Sequence, residues 1–232
     1  MKDAEIDEML DKAAHAPHAV TAGLLERIAD SIEPSVQPVR PLAPAWVLTL
    51  GIVLIGAVVA LIGAARAGFQ GVEALGIPAR MLIFGALFLL ACVTAAQLVR
   101  EWTPGSRHVP SGAMLAAVSV ALLAVFALLF HDYRTHHFLS SGLTCLVTGL
   151  LHAVPAALLG WWLLRRGYVV NSVSAGLVAG TVAGLAGLAM LELHCNNFEA
   201  LHVLVWHTLV VPVSAGLGAL AGTRSPALSR PV

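Results

Sequence analysis

The chain has 232 residues, thirteen Lys or Arg balanced by thirteen Asp or Glu, a charged fraction of only 11% and an apolar fraction of 58%. A soluble domain carries about a quarter charged residues to solvate its surface, so this composition excludes an ordinary soluble globule and suits a lipid-facing exterior. Zero net charge leaves no electrostatic footprint for nucleic acid, and three cysteines (Cys92, Cys145 and Cys195) are too few for a disulfide scaffold.

Residues Met1 to Pro44 are polar and contain no apolar signal-peptide core, so the first apolar run, starting at Ala45, reads as an uncleaved anchor. Two short amphipathic helices are expected ahead of it. Asp3 to Ala13 places Ile6, Met9 and Leu10 on one face, and Thr21 to Ile32 places Leu24, Leu25, Ile28 and Ile32 at helical spacing, with Thr21 as N-cap. Pro34, Pro38, Pro41 and Pro44 then make an extended tether. Up to Arg40 the segment holds eight acids against four bases. Helices this short are marginal in water and need a surface to cover their apolar face. These seven apolar residues are therefore the candidate partner-binding set, and the surrounding acids suit a basic cytosolic partner.

Six apolar stretches follow, at about 45–65, 79–99, 112–130, 144–164, 169–193 and 200–222, each near the ~20 residues that cross a hydrocarbon core. The expected fold is an all-α membrane protein: a six-helix transmembrane bundle over 45–222, a cytoplasmic segment over 1–44 and a short tail over 223–232. Basic residues set the orientation. With the N-terminus inside, ten of the thirteen fall on the inner side, and only Arg66, Arg80 and Arg134 on the outer side. Both termini of this multi-pass membrane protein are expected in the cytoplasm. Gly176, Gly180 and Gly184 in span five, and Ser214, Gly218 and Gly222 in span six, form small-residue ridges that let helix backbones approach closely in lipid.

Under this orientation several metal-binding residue types gather on the outer face. His131, His136 and His137 lie between spans three and four, and Cys145 heads span four. His194 and Cys195 end span five, and His202 opens span six. Thiolate and imidazole are the usual ligands of zinc and similar cations, and two thiols in an oxidising compartment can instead form a disulfide. Cys145, Cys195 and His194 are the leading candidates for a metal or redox site, with His131, His136, His137 and His202 as additional candidate ligands. A transient metal ion or a reversible disulfide at the two cysteines is the expected cofactor chemistry. Glu192 and Glu199 are placed to orient an imidazole. His152 and His207, inside spans, read as hydrogen-bonded bundle residues, and Cys92 as packing. There is no phosphate-binding loop, nucleophile elbow or carboxylate pair, so no enzyme is expected.

Three segments carry a family resemblance: Gln37-Pro38-Val39-Arg40-Pro41-Leu42 before span one; span four, headed by Cys145 and ending in Leu164-Arg165-Arg166-Gly167; and Leu193-His194-Cys195, followed by Phe198 and Trp206. The sequence resembles the NrsF family of bacterial membrane proteins, negative regulators of an extracytoplasmic-function sigma factor of the sigma-F type. Asn196 stands where the family usually has Pro. The resemblance implies six spans and a membrane-bound anti-sigma factor whose cytoplasmic N-terminal segment sequesters the sigma factor. It also implies two outer cysteines, here Cys145 and Cys195, required for the response to metal or oxidative stress. The expected partners are an extracytoplasmic-function sigma factor and the lipid bilayer, with no direct nucleic acid. The alternative, from another class, is a small permease or metal-handling membrane protein with a His/Cys-lined outer site.

Overall fold

The computed structural model describes residues 43–224 other than 104, 107, 108 and 168, together with positions 5, 8, 11, 12, 23, 26, 27, 30 and 31. The chain divides into two compact units, Met1–Leu42 and Ala43–Val232. In the first, the described positions are helical and exposed. Lys12 bonds Glu8 one turn back at 2.8 Å, and Arg27 Nε donates to the Gly23 carbonyl at 3.0 Å. Ile6, Met9, Leu10, Leu24, Leu25, Ile28 and Ile32, the expected partner-binding set, lie outside the described residues.

The second unit is an all-α bundle. Its elements are α1 (Ala45–Ala67), α2 (Gln70–Ala74), α3 (Ile77–Glu101), α4 (Ser111–Leu129), α5 (Phe138–Leu164), α6 (Ser172–His194), a π-helical stretch (His202–His207) and α7 (Thr208–Thr223), which continues from it. Among the described residues there is no strand, only an isolated parallel bridge between Asp132 and Glu199. Six of these helices, counting the π stretch with α7, are long and apolar enough to cross a membrane, and the protein is an all-α membrane protein. At ~1.5 Å per residue the shortest uninterrupted one, the 19-residue α4, covers about 28 Å, close to the thickness of a hydrocarbon core.

Local chemistry sets the helix starts. Pro44 and Pro110 directly precede α1 and α4, and Pro78 sits in the first turn of α3, where its missing N–H costs nothing. Asn171 caps α6, its Oδ1 accepting from the Val173 and Ser174 amides at 3.1 and 3.0 Å. Helix α5 begins at Phe138, six residues ahead of its apolar stretch. The reason is that Ser140, Ser141 and Thr144 return their hydroxyls to carbonyls one turn back, so the helix carries these polar residues without leaving a group unpaired.

Helix α6 is the axis of the bundle. It packs against every other α-helix of the unit, and 72% of its apolar window is buried, against 22% for α1. Small residues make this possible. A Cβ on Gly180 would strike the Ser214 carbonyl of α7, one on Gly184 would lie 2.7 Å from Val211 Cα, and one on Gly187 would strike the Gly149 carbonyl of α5. Between helices in lipid there is no hydrophobic drive, so backbone contact of this kind is the principal source of association. The outer helices turn Trp46, Leu54, Met81, Leu89, Leu151 and Leu158 away from the bundle, where lipid solvates them.

The two ends of the bundle differ. Where α1 and α6 begin, the buried Glu101 of α3 accepts from Gln97 Nε2 at 3.2 Å and from Ser174 Oγ of α6 at 3.1 Å. The opposite end carries α2, the 130–137 connection and the 195–201 connection. There the Ala200 amide donates to the Asp132 carbonyl at 2.6 Å, and Phe130 stacks on Phe198 at 5.6 Å.

Candidate functional site

Four metal-binding side chains meet at that opposite end. Cys145 lies two turns into α5, Cys195 is the first residue beyond α6, and His202 and His207 bound the π-helical stretch. One ligand atom from each of the four lies within 4.8 Å of all the others. The Cys145 and Cys195 sulfurs are 3.6 Å apart, and Cys195 Sγ is 3.6 Å from His202 Nε2. All three cysteines of the chain are free thiols. Cys195, His202 and His207 are buried, and Cys145 is half-buried.

Local features hold each residue in place. Gly142, one turn before Cys145, has no side chain, and the Trp206 indole lies over its backbone, seating α5 on the π stretch. Phe138 adds a tilted ring contact to Trp206 at 5.3 Å. Cys195 leaves α6 in an extended conformation while its amide still bonds the Leu191 carbonyl at 2.7 Å. Gly71 of α2 packs on this exit: a Cβ there would lie 2.6 Å from the Cys195 carbonyl and 2.9 Å from that of Glu192. In an α-helix, residues five apart point roughly 140° away from one another. A π-helix bonds i to i+5, so residues at that spacing fall nearly one above the other, and π stretches concentrate at functional sites. His202 and His207 are five apart, with ring centroids 5.2 Å from each other in an edge-on arrangement.

The charge chemistry is unusual for a membrane span. His207 Nδ1 sits 2.6 Å from Glu192 Oε1, both residues almost fully buried. This carboxylate–imidazole contact directs the opposite nitrogen, Nε2, away from Glu192, and that atom is buried with no partner among the described residues. His202 Nδ1 is likewise buried without one. At Cys195, just beyond α6, the hydrogen bond to Cys145 and then burial push the thiol above its usual value. Cys195 is thus held as a thiol, which a cation must deprotonate to bind.

The other residues singled out from sequence lie apart from this cluster. His194 turns the other way, its Nδ1 3.3 Å from the Gly68 carbonyl. His136 is exposed and pairs with Glu199, Nδ1 to Oε1 3.0 Å, while its amide also donates to that carboxylate at 3.2 Å. His131 and His137 are exposed, and His137 forms the left-handed residue before α5, with φ of 54°. His152 hydrogen-bonds the Thr148 carbonyl at 2.8 Å and fills the space over Gly63. Cys92 packs in a core cluster with Ala95 and Val99. Glu199 and Glu192 each contact an imidazole, Glu192 that of His207, which is hydrogen-bonded within the bundle as its place inside a span predicts. No sequence signal announces the π stretch. An α-helical projection puts His207 on a different face from His202, so only the backbone reveals the pair.

The chain matches, over residues 34–225, the family described as NrsF: Negative regulator of sigma F. No curated protein and no solved structure matches it. The matched region contains the whole bundle and all four clustered ligands, and it begins after the amphipathic N-terminal residues. The chain belongs to the NrsF family of negative regulators of sigma F.

Proposed function

We propose that this chain is a membrane-bound anti-sigma factor that sequesters an extracytoplasmic-function sigma factor through residues 1 to about 35, on the cytoplasmic side. It releases that factor when the Cys/His cluster, facing outward, meets a metal ion or an oxidant. The observation that carries this reading is the convergence of Cys145, Cys195, His202 and His207 from three elements into one buried cluster, in a family of sigma-factor regulators. The excess of basic residues on the side of the N-terminus supports the orientation, because Lys and Arg mark cytoplasmic loops. With this orientation the membrane separates sensor from effector, and the signal must pass through the packing of the bundle.

The energetics are adequate. Moving a two-state equilibrium from mostly bound to mostly free needs about 3–5 kcal/mol of differential stabilisation, the lower figure for a tenfold excess on either side. A disulfide contributes about 2–4 kcal/mol, and a structural zinc site in small peptides about 10–16 kcal/mol. Either event would draw α5 and the end of α6 together, and the glycine contacts along α6 leave little slack to absorb the shift. The test uses full-length protein in cells with a sigma-dependent reporter. Cys145→Ser and Cys195→Ser should each insert and express normally yet keep the reporter silent under cadmium or oxidant. The sigma factor should co-purify with the full chain and not with one lacking residues 1–35. A double serine variant that responds like wild type, or a truncated chain that still retains the sigma factor, would sink this function.

A further inference from the structure

Resting on the reading of this cluster as the sensor, we propose that Cys145, Cys195, His202 and His207 form a four-coordinate site for a zinc-class divalent cation, with Glu192 as the carboxylate that fixes the His207 imidazole. Bond lengths of ~2.3 Å to sulfur and ~2.0–2.1 Å to imidazole nitrogen place the ligand atoms of a tetrahedral site about 3.3–3.8 Å apart. The sulfur–sulfur and sulfur–Nε2 separations are both 3.6 Å, and no pair among the four exceeds 4.8 Å. The arrangement is thus already close to coordination geometry, and an inward shift of about 1 Å in the longest pair completes it.

The free valences point the same way. His207 uses Nδ1 on Glu192 and leaves Nε2 buried and, among the described residues, without a hydrogen bond, the usual division of labour in a carboxylate–histidine–metal unit. His202 presents Nε2 to Cys195 Sγ, the sulfur that would share its cation. Two thiols and two imidazoles select borderline and soft cations such as zinc and cadmium over magnesium or calcium, which demand oxygen. Binding forms two metal–sulfur and two metal–nitrogen bonds and releases both thiol protons to solvent, so the two thiolates neutralise the dication they hold. Ala60, Met190, Leu191 and Val210 pack as an apolar cluster against Cys145. A site of this make-up also clamps α5, the end of α6 and the π stretch to one point. His202 and His207 are thereby ligands, and the π-helical register is the feature that brings both to the cation.

Full-length protein in lipid nanodiscs, kept reduced, would be titrated with cobalt(II) and then with zinc(II). The expected result is one equivalent of cobalt, with tetrahedral ligand-field bands and a thiolate-to-cobalt charge-transfer band, displaced by zinc. X-ray absorption of the zinc form should count two sulfur and two nitrogen neighbours. Cys145→Ser, Cys195→Ser, His202→Gln and His207→Gln should each abolish the tetrahedral spectrum. Glu192→Gln should keep the bands and weaken binding by about 10–100-fold. His136→Gln and His194→Gln, outside the cluster, should bind as wild type does. Octahedral bands, a ligand count without two sulfurs, or unchanged binding by His202→Gln and His207→Gln would overturn the assignment. Should the histidine variants fail to fold, the ligand count on the wild type and the Glu192→Gln affinity still decide it. Cobalt binding as described, with a reporter indifferent to metal, would support the site and sink the sensing reading instead. A cadmium-responsive reporter with cobalt binding untouched by the histidine variants would do the reverse.

Discussion

At the scale of single residues, the contact between Glu192 and His207 is the most exacting feature of the protein. Both side chains are almost fully buried, and a 2.6 Å bond joins them. Removing one partner strands the other in a medium without water, at a cost of about 1–3 kcal/mol for a neutral group and more for a charged one. Glu192→Ala should therefore lower the thermal midpoint of the detergent-solubilised protein, whereas Glu199→Ala, which frees the exposed His136, should leave it within error. Equal midpoints for the two variants would mean that water reaches Glu192, contrary to its burial.

Gly71 controls the same site through the backbone. A methyl group there would meet the Cys195 and Glu192 carbonyls at 2.6 and 2.9 Å, atoms that cannot rotate away. Gly71→Ala should displace Cys195 and slow oxidative cross-linking of Cys145 to Cys195 at least several-fold, with normal insertion. The rate is read by differential alkylation and mass spectrometry. An unchanged rate would mean that α2 yields in place of the end of α6.

At the scale of elements, the bundle depends on how closely α6 meets α5 and α7. Gly180 of α6 has Ser214 and Ala215 of α7 against it, with Ala215 Cα only 2.8 Å from where a Cβ would stand. Gly180→Val must push the two helices apart and should markedly reduce the yield of folded protein. Gly51 of α1 is also mid-helix but has nothing within 4 Å of its missing Cβ. Gly51→Ala should be neutral or stabilising by about 0.5–1 kcal/mol, because alanine restricts the unfolded chain without a clash. Thermal unfolding of the two variants side by side separates close packing from helix propensity. Equal behaviour would refute the account of α6 as the packing axis.

At the scale of the whole molecule, the proposal depends on which end of the bundle faces out. The native cysteines are poor reporters because Cys195 is buried and Cys145 half-buried, so exposed positions must be used. Thr135, in the connection before α5, and Arg166, in the turn after it, are exposed at opposite ends. In intact cells a membrane-impermeant maleimide should label Thr135→Cys and spare Arg166→Cys. The opposite pattern would place the Cys/His cluster in the cytoplasm and remove the separation between sensor and effector. Arg166 also lies over the Trp162 ring at 3.7 Å, an aromatic–cation anchor of the kind found at a membrane interface.

The amino-acid sequence alone determined the class, the six spans and the close-packing ridges, because hydropathy and small-residue spacing are local, additive properties that survive any arrangement of the helices. It also brought Cys145, Cys195 and His202 to one face, since helix alternation in a membrane sends every second loop to the same side. Tertiary structure decided the rest. His194 and Cys195 are neighbours in sequence, yet the chain leaves α6 between them and sends their side chains to different partners, Gly68 and Cys145. His207 enters the cluster because a π-helical stretch shifts the register of one turn, and Glu192 reaches it from another helix fifteen residues away in sequence. Such placements depend on where a helix ends and how one turn is wound. Both are set by packing between distant segments, to which the spacing of residues along a single helix is blind.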